Sequence, residues 1–160
     1  MNKTVYILLL MLAYSCSGNA QNSSLRGKKK YKVVKTEAEW KILLSPLAYS
    51  ILREAGTERP FSSPLNDIKK EGTFVCAACR TPLYKTKHKF DSGTGWPSFD
   101  RAIKGNVELD VDYKIGYART ELKCITCGGH LGHSFDDGPR NTTGKRHCIN
   151  GAALTFIPKS

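Results

Sequence analysis

Six cysteines are spread over the 160 residues, and their spacing divides them by chemistry. Cys76 and Cys79 in "CAAC" and Cys124 and Cys127 in "CITC" have the spacing that lets each pair turn onto one metal ion. Four thiolates with no open position describe a structural zinc site, whose binding energy counts as folding energy. Two other readings stand beside it: disulfides, in any of three pairings, or a redox-active pair. The repetition of the unit in two turn-like contexts favours zinc.

Cys148, in "KRHCINGAAL", belongs to neither pair. If "RHCIN" is a strand, its side chains alternate, so Arg146, Cys148 and Asn150 share one face and His147 and Ile149 the other. A guanidinium beside a thiol favours the thiolate, and the thiolate is the nucleophile. A lone cysteine is more commonly a buried core residue, but Arg and Asn on its own face bury poorly without partners. Upstream, "HLGHSFDDGP" carries His130 and His133, side chains able to act as acids near neutral pH, and Asp137. The plainer account makes the histidines metal ligands or polar loop residues and the aspartate a turn former.

The elements that must position these groups come next. "TEAEW" offers Thr36 as a helix cap with Glu39 three residues on, and the helix should run to about Leu44. "SPLAYSILREAG" offers Ser45 as cap, Pro46 in the first turn, Leu47, Ile51 and Leu52 at helical spacing, and Gly56 as terminator. After Thr57 the runs "GTFVC", "VELDVDYK", "RTELKC" and "AALTFI" alternate or are β-branched, between clusters of turn residues. The fold class is mainly β, antiparallel, behind two short N-terminal helices.

The N-terminus reads as an address. Lys3 precedes an apolar run from Val5 to Ala13, too short to span a bilayer as a mature helix, which is the pattern of a secretory signal over residues 1–15. Processing before Cys16 with acylation of its thiol is the favoured outcome, and cleavage after Ala20 the other. The protein is then exported, periplasmic or a membrane-anchored lipoprotein. Residues 16–35 form a basic tether, in which Arg26, Lys28, Lys29, Lys30, Lys32 and Lys35 supply six of the formal +11 charges without an acidic neighbour. With the charge so localised, a nucleic-acid partner is not expected, whereas anionic lipid headgroups suit the tether. One domain, residues 36–160, remains, and it is expected to be monomeric.

From Thr36 to Pro158 the chain resembles the methionine-R-sulfoxide reductase B family. The resemblance rests on "GTERPF" (56–61), the two CxxC units, "FDSGTGWPSF" (90–99), "HLGHSFDDGP" (130–139) and "RHCIN" (146–150), in the family's order. It implies two small antiparallel sheets with short N-terminal helices, one structural zinc ion on the four cysteines, and reduction of the R epimer of methionine sulfoxide in oxidised proteins. It further implies that Cys148 attacks the sulfoxide sulfur and becomes a sulfenic acid. In that scheme His133 meets the oxygen with His130 nearby, Asp137 orients His or Arg146, and Arg146 lowers the thiol pKa. Asn150 hydrogen-bonds near the reacting oxygen, and Trp96 packs on the substrate methyl group.

Three departures from the family pattern stand out. Thr94 occupies the place where many members carry a resolving cysteine, so an external thiol, such as a thioredoxin-like protein, must recycle Cys148. His147 replaces an aromatic residue, and Gly151 a common serine. Three rival classes make different demands. A zinc-dependent nucleic-acid module requires salt-sensitive binding by the folded domain. A cysteine hydrolase built on Cys148, His133 and Asp137 requires an acyl-enzyme and no thiol consumption. A structural zinc domain tolerates loss of Cys148.

Overall fold

The computed structural model describes residues 30–160. The signal sequence and the tether up to residue 29 lie outside the described residues. Helix α1 (Glu37–Leu43) starts from the reciprocal cap read in the sequence. Glu39 Oε2 accepts the Thr36 N–H at 2.7 Å, and Thr36 Oγ1 accepts the Glu39 N–H at 3.3 Å. Helix α2 (Pro46–Glu54) is capped by Ser45, whose hydroxyl accepts the Ala48 N–H. Its end is shared between two residues. Ala55, not Gly56, takes the left-handed conformation (φ 53°), and the Gly56 N–H then closes onto the Ser50 carbonyl at 2.9 Å. A Cβ on Gly56 would stand 2.9 Å from Ser50 Oγ, which is why a glycine follows. The buried stripe also differs from the expected one: Ala48, Tyr49, Ile51 and Leu52 face the core, while Leu47 is half exposed.

Two antiparallel sheets follow, as the sequence and the resemblance lead one to expect. The smaller has the order β2-β1-β9, from β1 (Gly72–Cys76), β2 (Pro82–Lys85) and β9 (Leu154–Pro158). The larger has six strands in the order β3-β4-β8-β7-β6-β5. These are β3 (Lys89–Phe90), β4 (Ser98–Phe99), β5 (Val107–Asp112), β6 (Arg119–Cys124), β7 (His130–Phe135) and β8 (Arg146–Ile149). An aromatic core joins the sheets. Phe99 of β4 stacks on Tyr84 of β2 with centroids 4.3 Å apart and meets Phe74 of β1 edge-on at 5.1 Å. Offset and edge-on contacts of this kind suit the ring quadrupoles and add to the area they bury.

His147 belongs to this core. It sits opposite Phe99 in the β4–β8 register, and its Nδ1 lies 3.2 Å from the Tyr84 hydroxyl. It therefore does the packing work of the aromatic it replaces, on the face away from Cys148, and adds one hydrogen bond. Burial pushes its pKa down to about 4, so the ring is neutral at physiological pH.

The two CxxC units form matching knuckles at the ends of β1 and β6. In the first, the Arg80 N–H bonds the Cys76 carbonyl at 2.9 Å and the Cys76 N–H bonds the Thr81 carbonyl at 2.8 Å. In the second, Gly128 to Cys124 and Cys124 to Gly129 repeat the pattern at 2.8 and 2.9 Å. The residue after each second cysteine, Arg80 or Gly128, has positive φ, 64° and 69°. Glycine is required in the second knuckle because the Tyr31 ring lies 2.3 Å from where a Cβ would be. The folded unit thus begins before the Thr36 cap, with Val33 also bonded to the Thr126 carbonyl at 3.0 Å.

All four sulfurs lie within 4.8 Å of one another, with Cys76–Cys127 at 3.8 Å and Cys79–Cys124 at 3.5 Å. Disulfides are excluded, since an S–S bond is about 2.05 Å long. A tetrahedron of metal–sulfur bonds of about 2.3 Å has edges of about 3.8 Å, so these cysteines fit a four-coordinate metal ion.

Two outcomes follow from the core and the knuckles. Chelation, or Cys76→Ser, should release one metal ion per chain and lower Tm by about 10 °C or more, a few kcal/mol at about 2–4 °C each. An unchanged Tm with no metal on elemental analysis would remove the metal tie. For His147, the unfolded ring titrates at 6.5 and the folded ring at about 4, so stability is complete above pH 6.5 and drains away as pH falls to about 4. The loss is about 2 kcal/mol after discounting partial solvation, and His147→Phe should flatten it in urea titrations between pH 7 and 4.

Candidate active site

Strand β8 carries the nucleophile candidate between two strands that present partners to it. Cys148 pairs with Ser98 on β4 and with His133 on β7, and directly opposed residues of antiparallel strands share a face. Gly132 makes the β7–β8 approach possible, since a Cβ there would stand 2.0 Å from the Cys148 carbonyl oxygen. Cys148, His133, Trp96, Arg119, Phe135 and Asn150 line one pocket of about 170 Å³. That is space for a side chain the size of methionine sulfoxide.

Arg146 sits two residues along β8, its guanidinium 4.5 Å over the Phe135 ring and forked onto Asp137 at 2.9 and 2.8 Å. Asp137 therefore orients Arg146, one of its two expected roles, and does not touch either histidine. Arg146 draws the Cys148 pKa down as expected, but burial outweighs it and the thiol stands above its ordinary 9.0. Cys148 is thus a protonated thiol until something in the pocket changes its surroundings.

His133 is held from the hairpin of β5 and β6. Its Nε2 lies 2.8 Å from Asp112 Oδ2, which also receives Arg119 Nη2 at 2.5 Å. Burial lowers the His133 pKa, and the Asp112 contact opposes that only in part. The Asp112 carboxyl is held well below the usual carboxylate range, first by the Lys114 N–H and then by His133 and Arg119. His130 stands outside the pocket lining: its Nδ1 meets Glu121 Oε1 at 2.7 Å and its ring lies 5.2 Å from that of His133. The two rings meet edge-on, which is how His130 touches the site. Neither histidine belongs to a metal cluster, the cysteines being the group of that kind among the described residues. The triad of Cys148, His133 and Asp137 is not assembled either, because His133 takes its carboxylate from Asp112.

Asn150 lies where expected but acts differently. Its Oδ1 accepts the Glu58 N–H at 3.0 Å and its Nδ2 donates to the Leu131 carbonyl at 3.0 Å, so both ends of the amide bind backbone. These bonds fix the amide in the pocket wall and leave its second Nδ2 hydrogen unspent by them. Trp96 is the expected aromatic wall, its Nε1–H donating to the Glu58 carbonyl at 3.2 Å.

Four functional residues went unassigned in the sequence. Glu58, inside "GTERPF", is 4% exposed and clamps the Gly151 and Ala152 N–H groups with its carboxylate, so one residue ties Trp96, Asn150 and the end of β8. Asp112 and Glu121 lie in "VELDVDYK" and "RTELKC", where alternation puts acids on one face, yet nothing local says which histidine each meets. Arg119 lines the pocket, and its Nε is buried with no hydrogen-bond partner among the described residues.

The SelR domain matches residues 44–158. A peptide methionine sulfoxide reductase MsrB from Bradyrhizobium diazoefficiens is 50% identical over 129 residues, covering 80% of this chain and 92% of that protein. One from Leifsonia xyli is 46% identical over 134 residues, covering 83% and 96%. The mitochondrial methionine-R-sulfoxide reductase B3 of Mus musculus is 46% identical over 138 residues, covering 86% of this chain and 54% of its own length. Matched by that domain over residues 44–158 and by these relatives at 46–50% identity, this chain belongs to the methionine-R-sulfoxide reductase B family and is a peptide-methionine (R)-S-oxide reductase.

Proposed function

We propose that the chain reduces methionine-R-sulfoxide residues in proteins through a sulfenic acid on Cys148, with an external thiol as reductant. The observation that carries this is the pairing of Cys148 with His133 in a pocket walled by Trp96. The Cys148 thiolate attacks the sulfoxide sulfur while His133 protonates the oxygen. The oxygen passes as hydroxyl to the Cys148 sulfur, the S–O bond and the newly formed S–S bond to the substrate both break, and methionine leaves with its sulfur lone pair restored. One thiol then displaces water from the sulfenic acid to form a mixed disulfide, and a second frees Cys148; overall, two thiols become one disulfide and one water.

Arg119 places a second N–H donor by the oxygen, and the Trp96 face receives the methyl group, so that R and S epimers differ in fit. Zinc is the ion proposed for the four cysteines, which share no residue with the pocket lining. A thioredoxin-like protein is the proposed donor, and an exported, lipid-anchored chain acting as a monomer the proposed setting, on the apolar run from Val5 to Ala13 and the basic stretch behind it.

The raised thiol and lowered imidazole make the reactive pair, thiolate with imidazolium, a minority of the free enzyme. That fraction is constant wherever pH lies between the two titrations, so kcat/KM should be level through neutral pH and fall below the lowered imidazole titration and above the raised thiol titration. Asp112→Asn removes the charge supporting the imidazolium; the level should drop about tenfold and the acidic limb move down. An Asp112→Asn profile superimposable on that of the parent would remove His133 from proton delivery. Cys148→Ser should abolish thiol-dependent reduction of R-sulfoxide, and one turnover without reductant should leave a dimedone-reactive sulfur at 148. Retained activity in the serine variant would end the reading.

A further inference from the structure

The turn between β5 and β6 carries more exposed apolar surface than its length calls for. In "YKIGY" (113–117), Tyr113 is 68% exposed, Ile115 51% and Tyr117 62%. Single exposed apolar side chains are ordinary, but three within five residues form a patch of the kind that marks an interaction site. The turn is firmly built. The Gly116 N–H closes onto the Tyr113 carbonyl at 3.0 Å, and the Lys114 N–H bonds Asp112 Oδ1 at 2.7 Å. Lys114 Nζ reaches back to the carbonyls that end α2, Glu54 at 3.4 Å and Ala55 at 3.0 Å. A surface fixed in this way loses little freedom when something binds it.

The patch adjoins the pocket. Tyr113 follows Asp112, which holds His133, and Tyr117 lies two residues before Arg119, which lines the pocket. The Ala55 carbonyl that Lys114 binds is two residues from Thr57, another lining residue. Asp112 and Arg119 are register partners at the end of β5 and β6, and Phe135 and Arg146 continue that end on β7 and β8. The His133–Cys148 pair is two residues inward. Two residues of strand span about 7 Å, and an extended polypeptide repeats its side chains on one side at the same interval. A sulfoxide seated in the pocket therefore sends the side chain two positions away over the pocket's edge, and at the Arg119 edge that step leads to Tyr117.

We propose that the Tyr113–Tyr117 turn is a docking surface for the substrate polypeptide, receiving a large apolar side chain two positions from the methionine sulfoxide. The proposal rests on the pocket being the site of reduction. It makes the enzyme selective for sulfoxides with aromatic or aliphatic neighbours, through binding and not through the chemical step. A lipid surface fits the turn less well. Lys114 is the one cation between Tyr113 and Tyr117, and its ammonium is spent on the α2 carbonyls, whereas anionic headgroups call for basic side chains free to meet them.

The test compares three R-sulfoxide substrates: N-acetylmethionine sulfoxide, and Ser-Gly-Met-Gly-Ser and Phe-Gly-Met-Gly-Phe pentapeptides oxidised at methionine. Dithiothreitol drives the reaction, so no second protein takes part. The full chain should favour the Phe peptide over the Ser peptide about tenfold in kcat/KM, carried by KM. In the Tyr113→Ser, Ile115→Ser, Tyr117→Ser triple variant the two peptides should come within about twofold of each other, with N-acetylmethionine sulfoxide reduced at the parent rate. Equal use of both peptides by the parent overturns the proposal without any variant. So does a preference that survives in the triple variant, or a loss as large on N-acetylmethionine sulfoxide as on the Phe peptide. A surviving preference with slower thioredoxin-driven turnover would assign the turn to the reductant; with lost binding to phosphatidylglycerol vesicles, it would assign the turn to a membrane. Reduction of the Phe peptide by Cys148→Ser would overturn the site of reduction itself, a separate failure.

Discussion

The register of β8 between β4 and β7 is the constraint on which this molecule depends. It sets Cys148 opposite His133 on one side and Ser98 on the other, so thiol, imidazole and the Ser98 hydroxyl share one face. Because side chains alternate along a strand, a slip of one residue would put His147 in the pocket and Cys148 against Tyr84. Much of the surrounding structure holds that register. Gly132 admits the Cys148 carbonyl, Glu58 grips the backbone just past β8, and His147 is locked between Phe99 and Tyr84 on the other face.

The site works through opposed effects of comparable size. Burial raises the Cys148 thiol and lowers the His133 imidazole, and Arg146 and Asp112 only partly reverse this. Both shifts favour the neutral forms of the thiol and the imidazole, and in the proposed mechanism charge separation waits for the polar sulfoxide. An exposed, ionised cysteine would react with any passing oxidant. A half-buried thiol with its charge partners in place reserves its reactivity for a ligand that fits between Trp96 and Phe135.

Two fastenings keep distant segments at working distance. The cysteine cluster ties the end of β1 in the small sheet to the end of β6 in the large one, and Arg53 of α2 caps it through the Cys127 carbonyl at 3.1 Å. Glu58 performs a similar service nearer the pocket, with a carboxylate satisfied by two backbone donors and a peptide unit shared by Asn150 and Trp96. In a domain of this size, where the core alone supplies a narrow margin, such ties confer rigidity on a pocket with few hydrophobic contacts.

Sequence alone determined the local features: the Thr36 and Ser45 caps, the strands after Thr57, the two metal knuckles, and the segregation of Cys148 from His147 by strand alternation. Each follows from chemistry within a few residues, as cap, turn and side-chain period are local properties. The roles of Asn150 and His130, and the partners Asp112, Glu121 and Glu58, were decided by tertiary structure. A carboxylate cannot announce from its own strand which imidazole it will meet 9 or 21 positions away, nor an amide whether backbone will claim both its ends. The ionisation of Cys148 belongs to the same group: the flanking arginine is visible in "RHC", but the desolvation that outweighs it exists only once Trp96, Thr94 and β7 have closed around the sulfur.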